Sequence, residues 1–231
     1  MQPKDKFLPN QKFYKNLSKL AIEPYNFKIY DLMESQLNLK KSNLKFKSSK
    51  IVSLTEMASN PLMINIIDFI LSLFKPKNVL EIGTFMGVFS CNVAKNKFVK
   101  SVTTIEKFKD FYELAKDNIK RNSLQKKVKI INGDAFKVLD NIKNKKFDLI
   151  FLDGDKGNYL SLFKKLEKNN IKKNSVIIID DIFFHGDIFN KKFTNQKSMG
   201  VTNFLSYIKK NKNYTKSILP IFGGMMCLKK I

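Results

Sequence analysis

From Asn78 onward the chain alternates short apolar, β-branched runs with stretches of helical spacing. The runs predict strands at Asn78 to Ile82, Ser101 to Ile105, Val128 to Ile131, Phe147 to Leu152 and Ser175 to Ile179. Between them, Phe108 to Arg121 places Phe111, Leu114, Ala115 and Ile119 on one helical face. Strands apolar on both faces, regularly separated by amphipathic helices, predict an α/β fold with a mostly parallel sheet covered on both sides. The rhythm changes near the end. Tyr214 to Leu219 and Met225 to Lys229 read as two strands joined through Pro220 and Gly223-Gly224, closing the sheet with an antiparallel hairpin.

Residues 1–50 are Lys-rich without a strand signal and hold one helix, Tyr25 to Leu39, with Tyr25, Ile29, Leu32, Met33 and Gln36 at helical spacing. They read as an extension, serving as lid, dimer arm or mobile tail, ahead of a domain over residues 51–231. The Lys/Asn-rich flanks Lys40 to Lys50 and Lys164 to Asn174 read as solvated surface. With 231 residues, 43% of them hydrophobic, the chain can bury one core and is too apolar for a disordered segment. Two distant cysteines, Cys91 and Cys227, build neither a disulfide framework nor a zinc cluster, which fits a cytoplasmic setting. The start lacks the apolar core of a signal peptide, and the longest apolar stretch, Ile66 to Phe74, is too short to span a bilayer and carries Asp68. A formal charge of +23 invites a polyanion partner, yet Arg121 is the only arginine, and lysine lacks the bidentate fork that grips phosphates and guanine edges. The lysine excess therefore reads as a diffuse coat.

Ligands of an open parallel sheet sit beyond the carboxyl ends of its strands. In a chain with 20 acidic residues against 43 basic ones, those ends are acidic: Glu81, Glu106, Asp134 after Gly133, Asp153 and Asp180-Asp181. One such residue is a helix cap or turn residue; a full row of them is a ligand site. Gly83-x-x-x-Gly87 allows close backbone approach, and Glu106 is spaced to take two ribose hydroxyls. A dinucleotide is the competing ligand, but the loop lacks the first Gly-x-Gly pair, and Glu81 would repel a pyrophosphate while suiting an ammonium and a sulfonium. The ligand implied is S-adenosylmethionine.

From about Thr55 to the end the chain resembles the cation-dependent class I O-methyltransferases, the family of the catechol and caffeoyl-CoA enzymes and their bacterial relatives. Residues 79–87 resemble that family's cofactor loop, Thr104-Ile105-Glu106 its ribose-binding strand end, and Gly133-Asp134-Ala135 the segment beside the adenine. Narrower matches are residues 147–159 and Ile179-Asp180-Asp181-Ile182-Phe183-Phe184-His185-Gly186, which resemble its metal and catalytic loops. The resemblance implies a Rossmann-like class I methyltransferase fold with a seven-stranded sheet. It implies cofactor contacts from Glu81, Gly83, Thr84, Phe85, Gly87, Ser90, Glu106, Lys107, Asp134, Ala135 and Asp153. It makes Asp153, Asp180 and Asp181 ligands of a divalent cation, Mg²⁺ or alternatively Mn²⁺ or Ca²⁺, and Lys156 the proton acceptor, its pKa lowered by that cation. A homodimer is implied as well.

Two positions depart from the family pattern. Asp181 stands where Asn is usual, and Val88-Phe89 where Tyr-Ser is common, with Ser90 the residue that could supply the missing hydroxyl. His185 reads as part of the acceptor mouth rather than as catalytic. The implied acceptor is a small vicinal diol, catechol-like or hydroxycinnamoyl. The alternatives are a hydroxylated tRNA base, met by Lys191, Lys192 and Lys197, and a non-catalytic binding protein that keeps the fold.

Overall fold

The computed structural model describes residues 43–49, 61–190, 195–221 and 223–231, together with Leu32, residues 35–37 and Lys192. Of the predicted helix Tyr25 to Leu39, Leu32 and residues 35–37 are helical, and the rest lies outside the described residues.

The sheet strands are β1 (Asn78–Ile82), β2 (Ser101–Glu106), β3 (Val128–Asn132), β4 (Phe147–Leu152), β5 (Ile171–Ile179), β6 (Tyr214–Leu219) and β7 (Met225–Lys230). The helices are α1 (Pro61–Phe74), α2 (Val88–Lys95), α3 (Lys109–Arg121), α4 (Ala135–Asn141), α5 (Tyr159–Asn169) and α6 (Gln196–Lys210). The seven strands lie in the order β3-β2-β1-β4-β5-β7-β6, parallel through β5 and antiparallel across β5-β7-β6. The expected mostly parallel sheet with a C-terminal antiparallel pair is thus present, with β7 seated inside and β6 at the edge.

Alternation along the central strands divides the core. Leu80, Ile82, Ile150, Leu152, Ile177 and Ile179 pack with α4, α5 and α6, while Val79, Leu149, Phe151, Val176 and Ile178 pack with α1 and α2. Strands buried on both faces are what a doubly covered parallel sheet demands.

One strand begins earlier than its apolar run. β5 includes Lys172, Lys173 and Asn174, where the register with β4 shifts and Asn174 takes a left-handed φ of 65°. Ser175 closes this irregularity, its Oγ accepting from the Lys172 amide at 2.9 Å and donating to the Phe147 carbonyl at 2.7 Å. A polar bulge held by a hydroxyl has no periodic signature. Among the described residues no helix is long and apolar enough to cross a membrane.

Strand order reverses between β1 and β4, since β2 leaves β1 on one side and β5 leaves β4 on the other. The crevice beyond their carboxyl ends is the fold's natural ligand position.

Candidate active site

The first wall of the crevice is the turn after β1. Gly83 has φ 97°, and a Cβ there would stand 2.2 Å from the Asp153 carbonyl oxygen, so only glycine lets the ends of β1 and β4 touch. The contact is fastened by the Asp153 amide donating to the Ile82 carbonyl at 2.9 Å. Gly87, at φ 81°, begins α2. Between them Phe85 also adopts a left-handed φ of 50°, a strained state for an aromatic residue. Two contacts hold it there: its amide donates to Glu106 Oε2 at 2.8 Å, and its ring lies 4.8 Å from that of Phe111 on α3.

Glu106, at the end of β2, is oriented by the same bonds. Its Oε1 accepts from the Phe108 amide at 2.9 Å, so the carboxylate is fixed at both oxygens. Burial pushes its pKa up, and the backbone N–H donors pull the other way.

Glu81 sits deeper than its reading as a direct ligand contact implies. Its Oε2 accepts from Thr104 Oγ1 at 2.5 Å and from the Ser90 hydroxyl, and Thr104 in turn is hydrogen-bonded to Thr84. Burial pushes Glu81 up to about 8; the two hydroxyls oppose that shift, and the nearby Asp153 and Glu106 add to it. Ser90 is fully buried, and the hydroxyl expected at the cofactor is spent on Glu81. Phe89 is buried too, stacked on Phe151 with ring centroids 4.0 Å apart. The departure from the family pattern at this position therefore serves the core.

Asp134 caps α4, its Oδ1 accepting from the Phe136 amide at 3.0 Å, and it lies 3.6 Å from the Lys107 ammonium. Ala135, the next residue, packs against the core.

Across the crevice, Lys156 stands among three aspartates. Its Nζ lies 2.7 Å from Asp153 Oδ1, 3.8 Å from Asp181 Oδ2 and 5.7 Å from the centre of the Tyr159 ring. Burial alone would push the ammonium down, yet the aspartates, Asp153 foremost, hold Lys156 well above the usual lysine range. Asp180 is pushed up by burial and then by Asp153. The expected lowering of the Lys156 pKa needs a second cation beside it; with Asp153, Tyr159, Asp181 and Asp180 around it the electrostatics run the opposite way.

Among the described residues no three His, Cys, Asp or Glu side chains form a ready-made metal cage. The donor chemistry nonetheless fits a hard divalent ion: Asp153 and Asp181 pair with one positive charge, the Lys156 ammonium, and Asp180 lies within its electrostatic reach.

Further devices hold this cluster, and sequence reading did not assign them that role. Asp181 has a left-handed φ of 53°, a conformation Asn and Asp tolerate better than most residues, so the Asn-to-Asp change preserves the backbone. Gly223 allows the hairpin loop to close on it, since a Cβ there would lie 2.2 Å from Asp181 Oδ1; Gly223 and Gly224 accept from the Phe183 and Ile182 amides at 2.7 and 2.9 Å. Asp187, buried, accepts from the Ser198 hydroxyl and from Asn190 Nδ2 at 2.9 Å, pinning the 3₁₀ segment Phe184–Phe189, which contains His185, to the start of α6.

Gly200 of α6 is another. A Cβ there would come within 2.5 Å of Gly157 Cα and of the Lys156 and Gly157 carbonyl oxygens. A glycine inside a helical pattern was its only sequence signal. Gly200→Ala is expected to cost about 1–3 kcal/mol of stability, the scale of an overpacked contact, and to lower turnover more than cofactor affinity. Thermal melting and steady-state kinetics check this; an unchanged melting temperature and rate would contradict the close packing.

Comparison with known proteins places the chain among O-methyltransferases. The chain is 26% identical over 186 residues to the O-methyltransferase ankF of Aspergillus thermomutatus, covering 73% of this chain and 77% of that protein. It is 32% identical over 129 residues to the caffeoyl-CoA O-methyltransferase of Medicago sativa, covering 53% and 51%. The matched stretch is only about half of some curated relatives, 53% of one from Arabidopsis thaliana. The solved O-methyltransferase of Bacillus cereus, in complex with SAH, superposes over 100% of this chain and 93% of its own at a TM-score of 0.69 and 21% identity, a likeness of fold. Residues 35–231 match the model of the O-methyltransferase family, a span that includes the glycine turn, Glu106 and the aspartate cluster, and the chain belongs to that family.

Proposed function

We propose that the chain is an S-adenosylmethionine-dependent O-methyltransferase that acts on a small vicinal diol, catechol-like or hydroxycinnamoyl, with a divalent cation, Mg²⁺ first, held by Asp153, Asp180 and Asp181. The observation that carries this reading is that Glu106, a carboxylate held at both oxygens by backbone amides, and the Asp153–Lys156 pair stand at the carboxyl ends of the two strands flanking β1, joined where Gly83 meets Asp153. S-adenosylmethionine supplies an electrophilic methyl group, and the cation supplies Lewis-acid polarisation of an acceptor hydroxyl.

The chain's own residues do the rest. Glu106 takes the ribose hydroxyls, and the Gly83 to Gly87 turn presents backbone to the methionine half. Glu81 acts from beneath that turn, tuned by Ser90 and Thr104. Asp134 and Ala135, with Lys107, border the adenine side. Lys156, once its ammonium has left Asp153 and given a proton to solvent, would as the neutral amine accept the proton of the acceptor hydroxyl, leaving an oxyanion in line with the methyl group. Phe183, with the tilted ring of Phe189 5.5 Å away, walls the acceptor.

The tRNA alternative gains no specific support: Lys192 and Lys197 are exposed, and Lys191 lies outside the described residues. The homodimer belongs to the proposal through the family resemblance alone, and the cytoplasmic setting through the two distant cysteines.

Glu106→Ala removes charged hydrogen bonds worth on the order of 1.5–3 kcal/mol and should weaken S-adenosylhomocysteine binding by about tenfold or more. Isothermal calorimetry reads this directly, and an unchanged affinity would overturn the assignment. A panel of catechols, hydroxycinnamoyl esters and unmodified tRNA, with Mg²⁺ and with excess chelator, identifies the acceptor.

A further inference from the structure

One stripe of α3 runs beneath the glycine turn. Phe111 meets the Phe85 ring, Ala115 lies 3.5 Å from where a Gly87 Cβ would be, and Asn118, fully buried, donates through Nδ2 to the Met86 carbonyl at 3.0 Å. The spacing 111, 115, 118 and 122 is one helical face. Its last two members, both asparagines, do something a helix surface seldom does: they pair with an extended segment as a strand would.

That segment is residues 43–49. Lys45 donates its amide to Asn122 Oδ1 at 2.9 Å and accepts from Asn122 Nδ2 at 2.9 Å. Lys47 donates to Asn118 Oδ1 at 2.7 Å and accepts from Asn118 Nδ2 at 3.1 Å. Leu44 and Phe46 alternate with them and pack against the core on the α1–α2 side. The strap is thus held by two side-chain amides four residues apart, each mimicking a strand neighbour.

Asn118 belongs to both structures at once. Its single amide group spends its oxygen and one N–H on the strap and its other N–H on the cofactor turn. A buried amide satisfied in all three directions has one favourable orientation, so loss of the strap frees it and slackens its hold on Met86.

We propose that Asn118 is a positioning residue that fixes the Gly83 to Gly87 turn and couples it to docking of the strap 43–49, so that cofactor occupancy and strap docking stabilise each other. The proposal rests on the cofactor reading above and goes beyond it. It makes the strap 43–49 part of the cofactor site's energetics, and Asn122, remote from the turn, becomes a handle on cofactor affinity.

Linked equilibria are reciprocal: the factor by which S-adenosylhomocysteine lowers the equilibrium population of the opened strap equals the factor by which releasing the strap weakens S-adenosylhomocysteine. The test uses the full chain. Amide hydrogen exchange is measured at residues 43–49 and 83–87 with and without saturating S-adenosylhomocysteine, and calorimetric affinity is measured for the parent, Asn118→Ala and Asn122→Ala. Exchange at Lys45 and Lys47 should slow on binding by about fivefold or more, the lower end of ordinary coupling between sites. Asn122→Ala should weaken S-adenosylhomocysteine by a similar factor and raise the KM for S-adenosylmethionine, with kcat at saturation within about twofold of the parent; Asn118→Ala should lose about tenfold or more. Asn122 is only half-buried, so its variant remains informative if Asn118→Ala fails to fold.

Protection of residues 83–87 with no change at Lys45 and Lys47, or parental affinity in Asn122→Ala, would overturn the coupling and leave the cofactor reading intact. A parent protein that does not bind S-adenosylhomocysteine would overturn both.

Discussion

Lys156→Ala is expected to lower methyl transfer by at least about a hundredfold, the scale of a lost general base, while S-adenosylhomocysteine binds within about twofold of the parent. Lys156 bonds to neither Glu106 nor the glycine turn; its ion-pair partners are Asp153, the one expected cofactor contact it touches, and Asp181. A second readout separates its two roles. With excess chelator the variant leaves three neighbouring carboxylates without the Lys156 ammonium, so its melting temperature should fall below the parent's. Added Mg²⁺ should then raise the variant's melting temperature more than the parent's, because the ammonium no longer competes with the ion for Asp153; at about a hundred times its Kd a ligand contributes about 2.7 kcal/mol. A variant as fast as the parent would remove Lys156 from the chemistry. Full transfer by the parent in excess chelator would remove the cation and return the aspartates to loop and capping roles.

The parts of the fold legible in the sequence are those where one residue's chemistry decides. β1, β4 and β6 have their predicted limits because each apolar run stops at a polar or turn residue. α1 carries no such signal: Phe69, Leu73 and Phe74 are exposed while Ile67 and Leu71 are buried, so apolar residues circle the helix and blur its period. In the site, the acids were legible because they end strands. What each acid bonds to was not, because that depends on turns. Ser90 illustrates the limit. Whether its hydroxyl meets a cofactor or Glu81 depends on where α2 begins, and a left-handed Gly87 sets that start. Gly200 and Gly223 are illegible for a related reason, since their partners, the Lys156 turn and Asp181, lie far away in sequence.

Glu81 gives the enzyme's stability a pH dependence with a definite sign. Its carboxyl titrates near 4.5 when unfolded and is pushed up to about 8 by burial in the native state, so the folded protein holds a proton that the unfolded chain releases over this interval. The stabilisation is complete below the unfolded pKa and is lost as pH rises through the folded one; each pH unit between costs at most about 1.4 kcal/mol, and the whole interval several kcal/mol. The ligand-free protein should therefore melt at a markedly higher temperature near pH 5 than near pH 8. Glu81→Gln keeps an oxygen to accept from Ser90 and Thr104 and carries no proton to lose, so it should flatten that profile and be the more stable protein at pH 8. If the buried carboxylate also attracts the cofactor's positive charges, the same variant binds S-adenosylmethionine more weakly, and the deficit grows with pH because only the ionised parent gains. Melting curves from pH 5 to 8, paired with calorimetry at both ends, separate the two effects. A parent profile as flat as the variant's would mean that Glu81 titrates in the folded protein as an ordinary carboxylate, its ionised form fully compensated by the Ser90 and Thr104 hydroxyls.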